Sequence, residues 1–230
     1  MNSPAPRSLG GTMVDLATAR MNMVESQLRP NRVTDPRIIT AFETLPRERF
    51  VPEDRQAIAY VDEDLKIAKD RYLMEPMVLA RLISAADVRP TDLALVVGCD
   101  TGYAAAVMAS LAATVVALEC DDDLAALAEK NLAALAVDNA VVVRGKLQQG
   151  YPKQAPYDVI LINGGIEVIP ERIQEQLGDH GRLVMVERRS QGCGRAVLIE
   201  RFGDAFGRRT LFDAATPVLP GFEREKRFVF

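Results

Sequence analysis

Two glycines and a glutamate stand in an order and at a spacing that suit a ligand containing a nucleoside. The apolar run LALVV, residues 93–97, is followed directly by Gly98, and Gly102 closes the turn that Gly98 opens. A chain that turns sharply against a ligand needs residues without a Cβ atom. Glu119 lies 21 residues beyond Gly98, at the end of the next apolar run. Because a carboxylate at that spacing can accept hydrogen bonds from both hydroxyls of a ribose, the pattern predicts a site for a nucleoside-containing cofactor.

Asp100, in the middle of this turn, narrows the kind of cofactor. A dinucleotide usually needs the pattern G-x-G-x-x-G, and only the outer Gly98 and Gly102 are present here. The carboxylate of Asp100 would repel a pyrophosphate but suits S-adenosylmethionine, whose sulfonium and ammonium groups are positive. One hypothesis is that Asp100 faces the ammonium, so that Asp100→Asn weakens cofactor binding. The alternative is that Asp100 caps the following helix.

Histidine and cysteine usage excludes several other chemistries. His180 is the only histidine and lies in the turn GDHGR, which makes a histidine base improbable and predicts no metal site. The three cysteines, Cys99, Cys120 and Cys193, are odd in number and widely spaced. They fit neither a disulfide framework nor a zinc site, and they predict a reducing cytoplasm.

Composition predicts a soluble protein without a nucleic-acid or membrane partner. The 230 residues are 48% apolar and 26% charged, with a net charge of −4, so the chain as a whole lacks a basic footprint for nucleic acid. No apolar run reaches the roughly 18 residues that a membrane span requires. Residues 1–13 lack the apolar core of a signal peptide and are expected to form a disordered lead-in.

Short apolar runs alternate with helical segments from residue 92 onward. Runs of this kind are typical of strands buried on both faces of a parallel sheet. They comprise residues 93–97, 114–118, 140–144, 158–162 and 182–186. A helix is predicted within residues 121–137, and residues 195–201 and 226–230 are expected to form an antiparallel edge. The predicted fold is α/β, a doubly wound, mostly parallel, Rossmann-like sheet over residues 91–230.

Residues 14–90 are predicted to form a helical N-terminal extension that carries the substrate-side segment. A first helix should cover residues 14–29 and end at Pro30, since the residue before proline avoids the helical conformation. A second should begin near Asp35, with Thr34 as its cap, and run to about Thr44. A third is expected over residues 76–87.

The order of these motifs resembles the protein-L-isoaspartate O-methyltransferases, a family of S-adenosylmethionine-dependent methyltransferases. The stretches that carry the resemblance are MVESQLRPNRVTDPRIITAFETLPRERFVPEDRQAIAYVDEDL, VVGCDTGYAAAVMASLAATVVALE and RGKLQQGYPKQAPYDVILINGGIEVIPERIQEQLGDHGRLVMV, within roughly residues 20–190. The resemblance implies methyl transfer from S-adenosylmethionine to a carboxylate oxygen of a damaged aspartyl residue in a protein or peptide. Such a carboxylate, with a pKa near 4, is already ionised and needs no general base. Catalysis can then rest on holding nucleophile and methyl in line.

The resemblance also implies which residues contact the cofactor. They are Gly98, Cys99, Asp100, Gly102, Tyr103, Glu119, Cys120, Lys146, Leu147 and Asn163. Two of these positions depart from the family pattern, because Asp100 replaces the central glycine of the turn and Lys146 replaces an acid that contacts adenine. A third departure is Val96, which stands where the strand end usually carries an acid.

The acceptor side departs further from the family. The family stretch Gly-Gln-Thr-Ile-Ser-Gln-Pro, whose hydroxyls lie beside the substrate carboxylate, corresponds here to residues 70–76, DRYLMEP. Met74 occupies the serine position and cannot donate a hydrogen bond, so no catalytic residue is predicted with security. Glu75 would add like charge near an anionic substrate if it points inward.

Three functional readings therefore stay open. The first is methylation of isoaspartyl peptides in protein repair. The second is a methyltransferase with another acceptor, in which Arg71 and Tyr72 could bind a different group. The third is a non-catalytic member of the family that binds a ligand or a partner protein. A nucleotide-dependent oxidoreductase is disfavoured because the middle and third glycines of its loop are missing.

Overall fold

The computed structural model describes residues 15–188 and 193–224. The predicted lead-in, residues 1–13, and the predicted edge strand, residues 226–230, lie outside the described residues. The strands of the described part are β1 Leu65–Ala68, β2 Arg71–Leu73, β3 Leu93–Val97, β4 Thr114–Glu119, β5 Ala140–Arg144, β6 Tyr157–Ile166, β7 Leu177–Glu187, β8 Arg195–Phe202 and β9 Ala205–Asp213. The helices are α1 Leu16–Met23, α2 Pro36–Thr44, α3 Pro76–Ala86, α4 Tyr103–Ala109, α5 Asp122–Ala134 and α6 Glu171–Gln174.

The main sheet has the strand order β5-β4-β3-β6-β7-β8-β9. The first five strands in this order, β5, β4, β3, β6 and β7, are parallel to one another, and β8 and β9 add an antiparallel edge. The predicted doubly wound fold with an antiparallel edge is confirmed. The second edge strand in the described part, β9, was not predicted, because its first six residues are exposed and its sequence shows no apolar alternation.

The register of the central strand brings the predicted site residues to one edge of the sheet. Val97 of β3 pairs with Leu118 of β4 on one side and with Ile162 of β6 on the other. The residues after these positions in the chain, Gly98, Glu119 and Asn163, therefore lie next to one another. Because strand order reverses at β3, this edge is the crevice where open α/β sheets bind ligands.

The first helical segment differs from its prediction at the C-terminal end. Helix α1 continues through a π-helical turn, Val24–Leu28, into a 3-10 turn, Arg29–Asn31, so Pro30 does not end it. A proline is tolerated here because it stands at the start of a new turn, where its missing N–H is not needed. The predicted cap Thr34 is also wrong: the carboxylate of Asp35 accepts from Arg37 N at 2.8 Å and caps α2.

The N-terminal extension shares its core with the sheet. Phe42 of α2 and Leu82 of α3 belong to the same buried apolar cluster as Val96 of β3 and Val107 of α4. The extension also contributes the hairpin of β1 and β2, which pair only with each other in the described part of the chain. No helix among the described residues is both long and apolar enough to cross a membrane.

Candidate cofactor site

The glycine turn adopts the backbone conformation that its sequence predicts. Gly98 has φ +76°, Asp100 φ +56° and Gly102 φ +101°, all in the left-handed region. A Cβ atom on Gly102 would lie 3.3 Å from Cα of Ala128, so α4 and α5 approach closely only because this residue is glycine. Aspartate is among the residues that adopt the left-handed region more readily than most, which explains how the turn accommodates Asp100.

Hydrogen bonds join the ends of the three central strands. Asn163 donates from Nδ2 to Gly98 O at 2.9 Å and to Asp100 Oδ2 at 2.8 Å. The amide of Asp100 donates to Glu119 Oε2 at 2.9 Å. The structure thus brings together Gly98, Asp100, Glu119 and Asn163, four of the predicted cofactor-binding residues. The alternative that Asp100 caps α4 is wrong, because the residue before α4 is Gly102 and no side chain caps that helix.

A guanidinium group lies against both acids of this site. Arg71, the first residue of β2, donates from Nη1 to Glu119 Oε1 at 2.5 Å and from Nη2 to Glu119 Oε2 at 2.6 Å. Its Nη2 also forms an ion pair with Asp100. The three side chains are only 3%, 0% and 1% exposed. Arg71 therefore holds Glu119 in bidentate geometry, in which carboxylates are bound most strongly, and pairs with Asp100 through one nitrogen.

The carboxylate of Glu119 has no hydrogen-bonding capacity to spare. Beyond Arg71 and the Asp100 amide, its Oε1 accepts from Cys120 N at 2.7 Å and from Asp121 N at 3.1 Å. Burial alone would raise the pKa of Glu119, but the hydrogen bonds and charge of Arg71 outweigh it and hold the pKa below its usual range. Glu119 is ionised and fully engaged.

Of the two acids, Asp100 has the environment that is less favourable to the ionised form. Complete burial raises its pKa to about 7, and the charge of Glu119 adds to this rise while Arg71 opposes it. Burial alone would lower the pKa of Arg71, but Asp100 and Glu119 outweigh it and raise that pKa. One arginine thus faces two acids, and the group whose proton is gained or lost near neutral pH is Asp100.

The other predicted cofactor residues have varied environments. Cys99 is buried and Cys120 is exposed. Lys146 is exposed, and Leu147 is 1% exposed with its carbonyl accepting from Gly150 N at 3.1 Å. Tyr103 lies in the core, where its ring packs edge-to-face on Phe42 and Phe50, so the structure does not place it beside the acids.

Two residues of this site were missed or misassigned by sequence reasoning. Leu219, from the segment after β9, lies over the glycine turn: a Cβ atom on Gly98 would be 3.1 Å from its methyl groups, and one on Gly164 would be 2.5 Å from its Cγ. No motif marks Leu219 in the sequence. Arg71 was considered only as a group for a different acceptor. No local signal marks Arg71, which stands among other charged residues in the stretch KDRYLMEP.

The acceptor-side segment is acidic and lacks a hydroxyl at the family's serine position. Met74 is 1% exposed, and its carbonyl accepts from Arg47 Nη2 at 2.8 Å. Glu75 donates its amide to Asp64 Oδ1 at 2.9 Å. Burial, with the charges of Asp62 and Asp64, raises the pKa of Glu75 to about 7. Burial likewise raises the pKa of Asp64 to about 6. Above pH 7 both Glu75 and Asp64 are therefore negatively charged.

The strand order, the glycine turn after β3 and the acid at the end of β4 define a methyltransferase of the Rossmann-like class. The chain belongs to the protein-L-isoaspartate(D-aspartate) O-methyltransferase family, whose family model matches residues 19–205. Members of this family take their methyl group from S-adenosylmethionine. The predicted family, enzyme class and cofactor are therefore confirmed at the level of the family.

Individual relatives agree with this assignment. The chain is 37% identical over 185 residues to the protein-L-isoaspartate O-methyltransferase of Methanoregula boonei, covering 80% of this chain and 81% of the relative. It is 39% identical over 165 residues to that of Methanoculleus marisnigri, covering 72% and 75% of the two chains.

Solved structures show the same fold. One described as a protein-L-isoaspartate O-methyltransferase superimposes with a TM-score of 0.77 at 24% identity, over 88% of this chain and 66% of the other. Another, from Plasmodium falciparum and in complex with S-adenosyl-L-homocysteine, gives 0.72 at 20% identity, over 89% and 97%. At these identities the likeness establishes the fold.

Proposed function

We propose that this protein transfers a methyl group from S-adenosylmethionine to a carboxylate oxygen of a damaged aspartyl residue in a protein or peptide. The observation that carries the proposal is the meeting of Gly98, Glu119 and Asn163 at one sheet edge in a chain of this family. Protein repair is the process that such a reaction serves.

The residues at this edge suit an adenosyl cofactor in position and charge. Glu119 ends β4, where a carboxylate can accept ribose hydroxyls, and Asp100 carries the charge that suits an ammonium group. Asn163 holds the turn through Gly98 O. A ribose can reach Glu119 only after the guanidinium of Arg71 has moved, since Arg71 occupies both carboxylate oxygens.

The chemistry that the protein must supply is mainly orientation. The bound cofactor supplies a methyl group on a positively charged sulfur, and the acceptor carboxylate is ionised at neutral pH. No proton has to be removed from the nucleophile. The buried site excludes water and holds the reactants in line, which is where the rate enhancement would arise.

Methyl-ester formation on matched peptides tests the proposal. The purified chain is incubated with S-adenosylmethionine and either an isoaspartyl peptide or the same peptide with normal aspartate. The proposal expects ester on the isoaspartyl peptide alone, with an equal amount of S-adenosylhomocysteine. The variant Glu119→Ala, which lacks the ribose acceptor, should give none. Equal esterification of both peptides, or none on either, would refute it.

The acidic acceptor side favours a second candidate, a methyltransferase with an uncharged or cationic acceptor. Burial raises the pKa of Asp62, Asp64 and Glu75, and the charges of Asp62 and Asp64 add to the rise at Glu75. Once ionised above pH 7, this acidic group disfavours an anionic substrate. Release of S-adenosylhomocysteine with an amine-bearing peptide, but not with the isoaspartyl peptide, would select this candidate.

The partner and location proposals rest on the sequence. We propose a protein or peptide substrate and neither a nucleic-acid nor a membrane partner, given the net charge of −4. We propose the cytoplasm because Cys99, Cys120 and Cys193 are free in the described structure. Cell fractionation would test the location.

A further inference from the structure

The side chain that fills the cofactor position belongs to the protein itself. We propose that Arg71 is an internal competitor of the cofactor: it holds Glu119 and Asp100 in a closed state, and an adenosyl ligand binds only when the guanidinium withdraws. The inference rests on the proposed function, since it concerns the same site. It goes beyond it by assigning a regulatory role to a residue of the substrate-side hairpin.

Arg71 makes the same kinds of contact with the two acids that the cofactor would make. A ribose diol would donate two hydrogen bonds to Glu119, and Arg71 donates two, at 2.5 and 2.6 Å. A cofactor ammonium would place a positive charge beside Asp100, and Arg71 forms an ion pair there. One guanidinium thus satisfies both groups that the cofactor would satisfy. Since Glu119 already accepts three backbone amides, arginine and ribose cannot be bound to it together.

The topology of the hairpin allows Arg71 to withdraw from the site. Arg71 stands on β2, which pairs with β1 in a two-stranded sheet separate from the main sheet in the described part of the chain. Withdrawal therefore breaks side-chain bonds without opening a ladder of the main sheet. The residues before it, Lys69 and Asp70, form an exposed turn, with Asp70 at φ +55°. An ordinary buried ion pair between two strands of one sheet would lack this freedom.

Titration with S-adenosylhomocysteine separates competition from a purely structural role. Arg71→Met keeps an apolar stem but removes the charge and the donors. It is expected to bind the ligand about tenfold or more tightly than wild type, because the competing state is removed. The matched control is Arg182→Met, which removes another buried ion pair, Arg182 Nη2 to Asp92 Oδ2 at 2.5 Å, before the start of β3. The control should leave the affinity unchanged.

The binding measurement distinguishes failure of the competition from failure of the proposed function. Equal affinity of wild type and Arg71→Met overturns the competition, whether or not the enzyme esterifies a peptide. Binding by neither protein overturns it as well and, in addition, removes the cofactor from the proposed function. Tighter binding by Arg71→Met supports the competition even if no isoaspartyl peptide is methylated, in which case only the proposed reaction fails.

A measurement on the wild-type protein covers the case in which Arg71→Met does not fold. Hydrogen exchange of the hairpin, residues 65–73, is compared with and without saturating S-adenosylhomocysteine. Displacement of Arg71 is expected to speed exchange in the hairpin while slowing it in the glycine turn, residues 98–102. Slower exchange in both segments would overturn the proposal, since the ligand would then bind with Arg71 in place.

Discussion

At the scale of single residues, two buried acids of the site, Glu119 and Asp100, share one arginine, Arg71. Glu119 accepts five hydrogen bonds, two from the guanidinium of Arg71 and three from backbone amides, whereas Asp100 shares one nitrogen of the same guanidinium. Burial therefore leaves Asp100 as the group whose protonation changes near neutral pH.

The stability of the protein should fall as the pH rises from about 4 to about 7. In that range the folded protein holds a proton on Asp100, whose pKa is raised to about 7, while the unfolded chain has lost it. The stabilising protonation is lost as the pH passes through the folded pKa. Asp100→Asn cannot titrate, so the unfolding free energy of wild type relative to Asp100→Asn should decrease between pH 5 and pH 8 in urea titrations. Parallel pH profiles would contradict this.

Glu75 should weaken the binding of an anionic acceptor at alkaline pH only. Burial and the neighbouring acids raise its pKa to about 7, so it repels a carboxylate at pH 8 but is largely neutral at pH 6. Glu75→Gln should lower KM for an isoaspartyl peptide at pH 8 by about three- to tenfold, equivalent to about 1 kcal/mol, and change it little at pH 6. The exposed Glu53→Gln is the control. An equal effect at both pH values would argue against the charge.

The residues at the strand ends could be predicted, whereas their partner could not. Gly98 and Glu119 follow apolar runs, so their placement at one sheet edge follows from the geometry of parallel strands. Arg71 is 48 residues from Glu119 in the chain and reaches it only because a separate hairpin folds over the sheet. No local pattern encodes such a contact, and the same holds for Leu219 above the turn.

At the scale of secondary-structure elements, the glycine turn sets how closely α4 and α5 pack. Gly102→Ala should destabilise the protein by about 2–4 kcal/mol, because it combines a left-handed backbone with a contact at 3.3 Å to Ala128. Gly203→Ala is the matched control: its φ is +59°, but a Cβ atom there meets nothing within 4 Å. Urea denaturation of both variants separates the backbone cost from the packing cost. Equal losses would show that packing contributes nothing.

A second buried arginine joins elements on the acceptor side. Arg47 donates to Ala59 O at 2.7 Å and to Met74 O at 2.8 Å, and its guanidinium lies 5.0 Å from the ring centre of Tyr103. It fixes the backbone of the segment that would meet the acceptor, although Met74 itself offers no hydroxyl.

Loss of Arg47 should therefore loosen that segment as well as destabilise the fold. Arg47→Met leaves two buried carbonyls without a donor and should lower the unfolding free energy by about 2–4 kcal/mol. The exposed Arg49→Met should change it by less than about 0.5 kcal/mol. Chemical denaturation gives both values. A loss no larger for Arg47→Met than for Arg49→Met would show that the two carbonyls find other donors.

At the scale of the whole molecule, the extension and the α/β sheet are one structural unit. Phe42 and Leu82 pack in the cluster that holds Val96 and Val107, so the sequence division near residue 90 does not mark a separate core. A chain of residues 91–230 alone should fail to show a cooperative thermal transition by circular dichroism, because its apolar face would be exposed. A sharp transition would show that the sheet folds without the extension.

The pairing of the two acids with Arg71 affects how stable the protein is in a cell that is short of the methyl donor. An enzyme whose empty pocket holds unpaired charges gains stability from its ligand, so its abundance follows the supply of that metabolite. Here Arg71 pairs with both Glu119 and Asp100 without any ligand. The folded protein is therefore expected to lose less stability during methionine starvation than an enzyme whose empty pocket holds two unpaired acids.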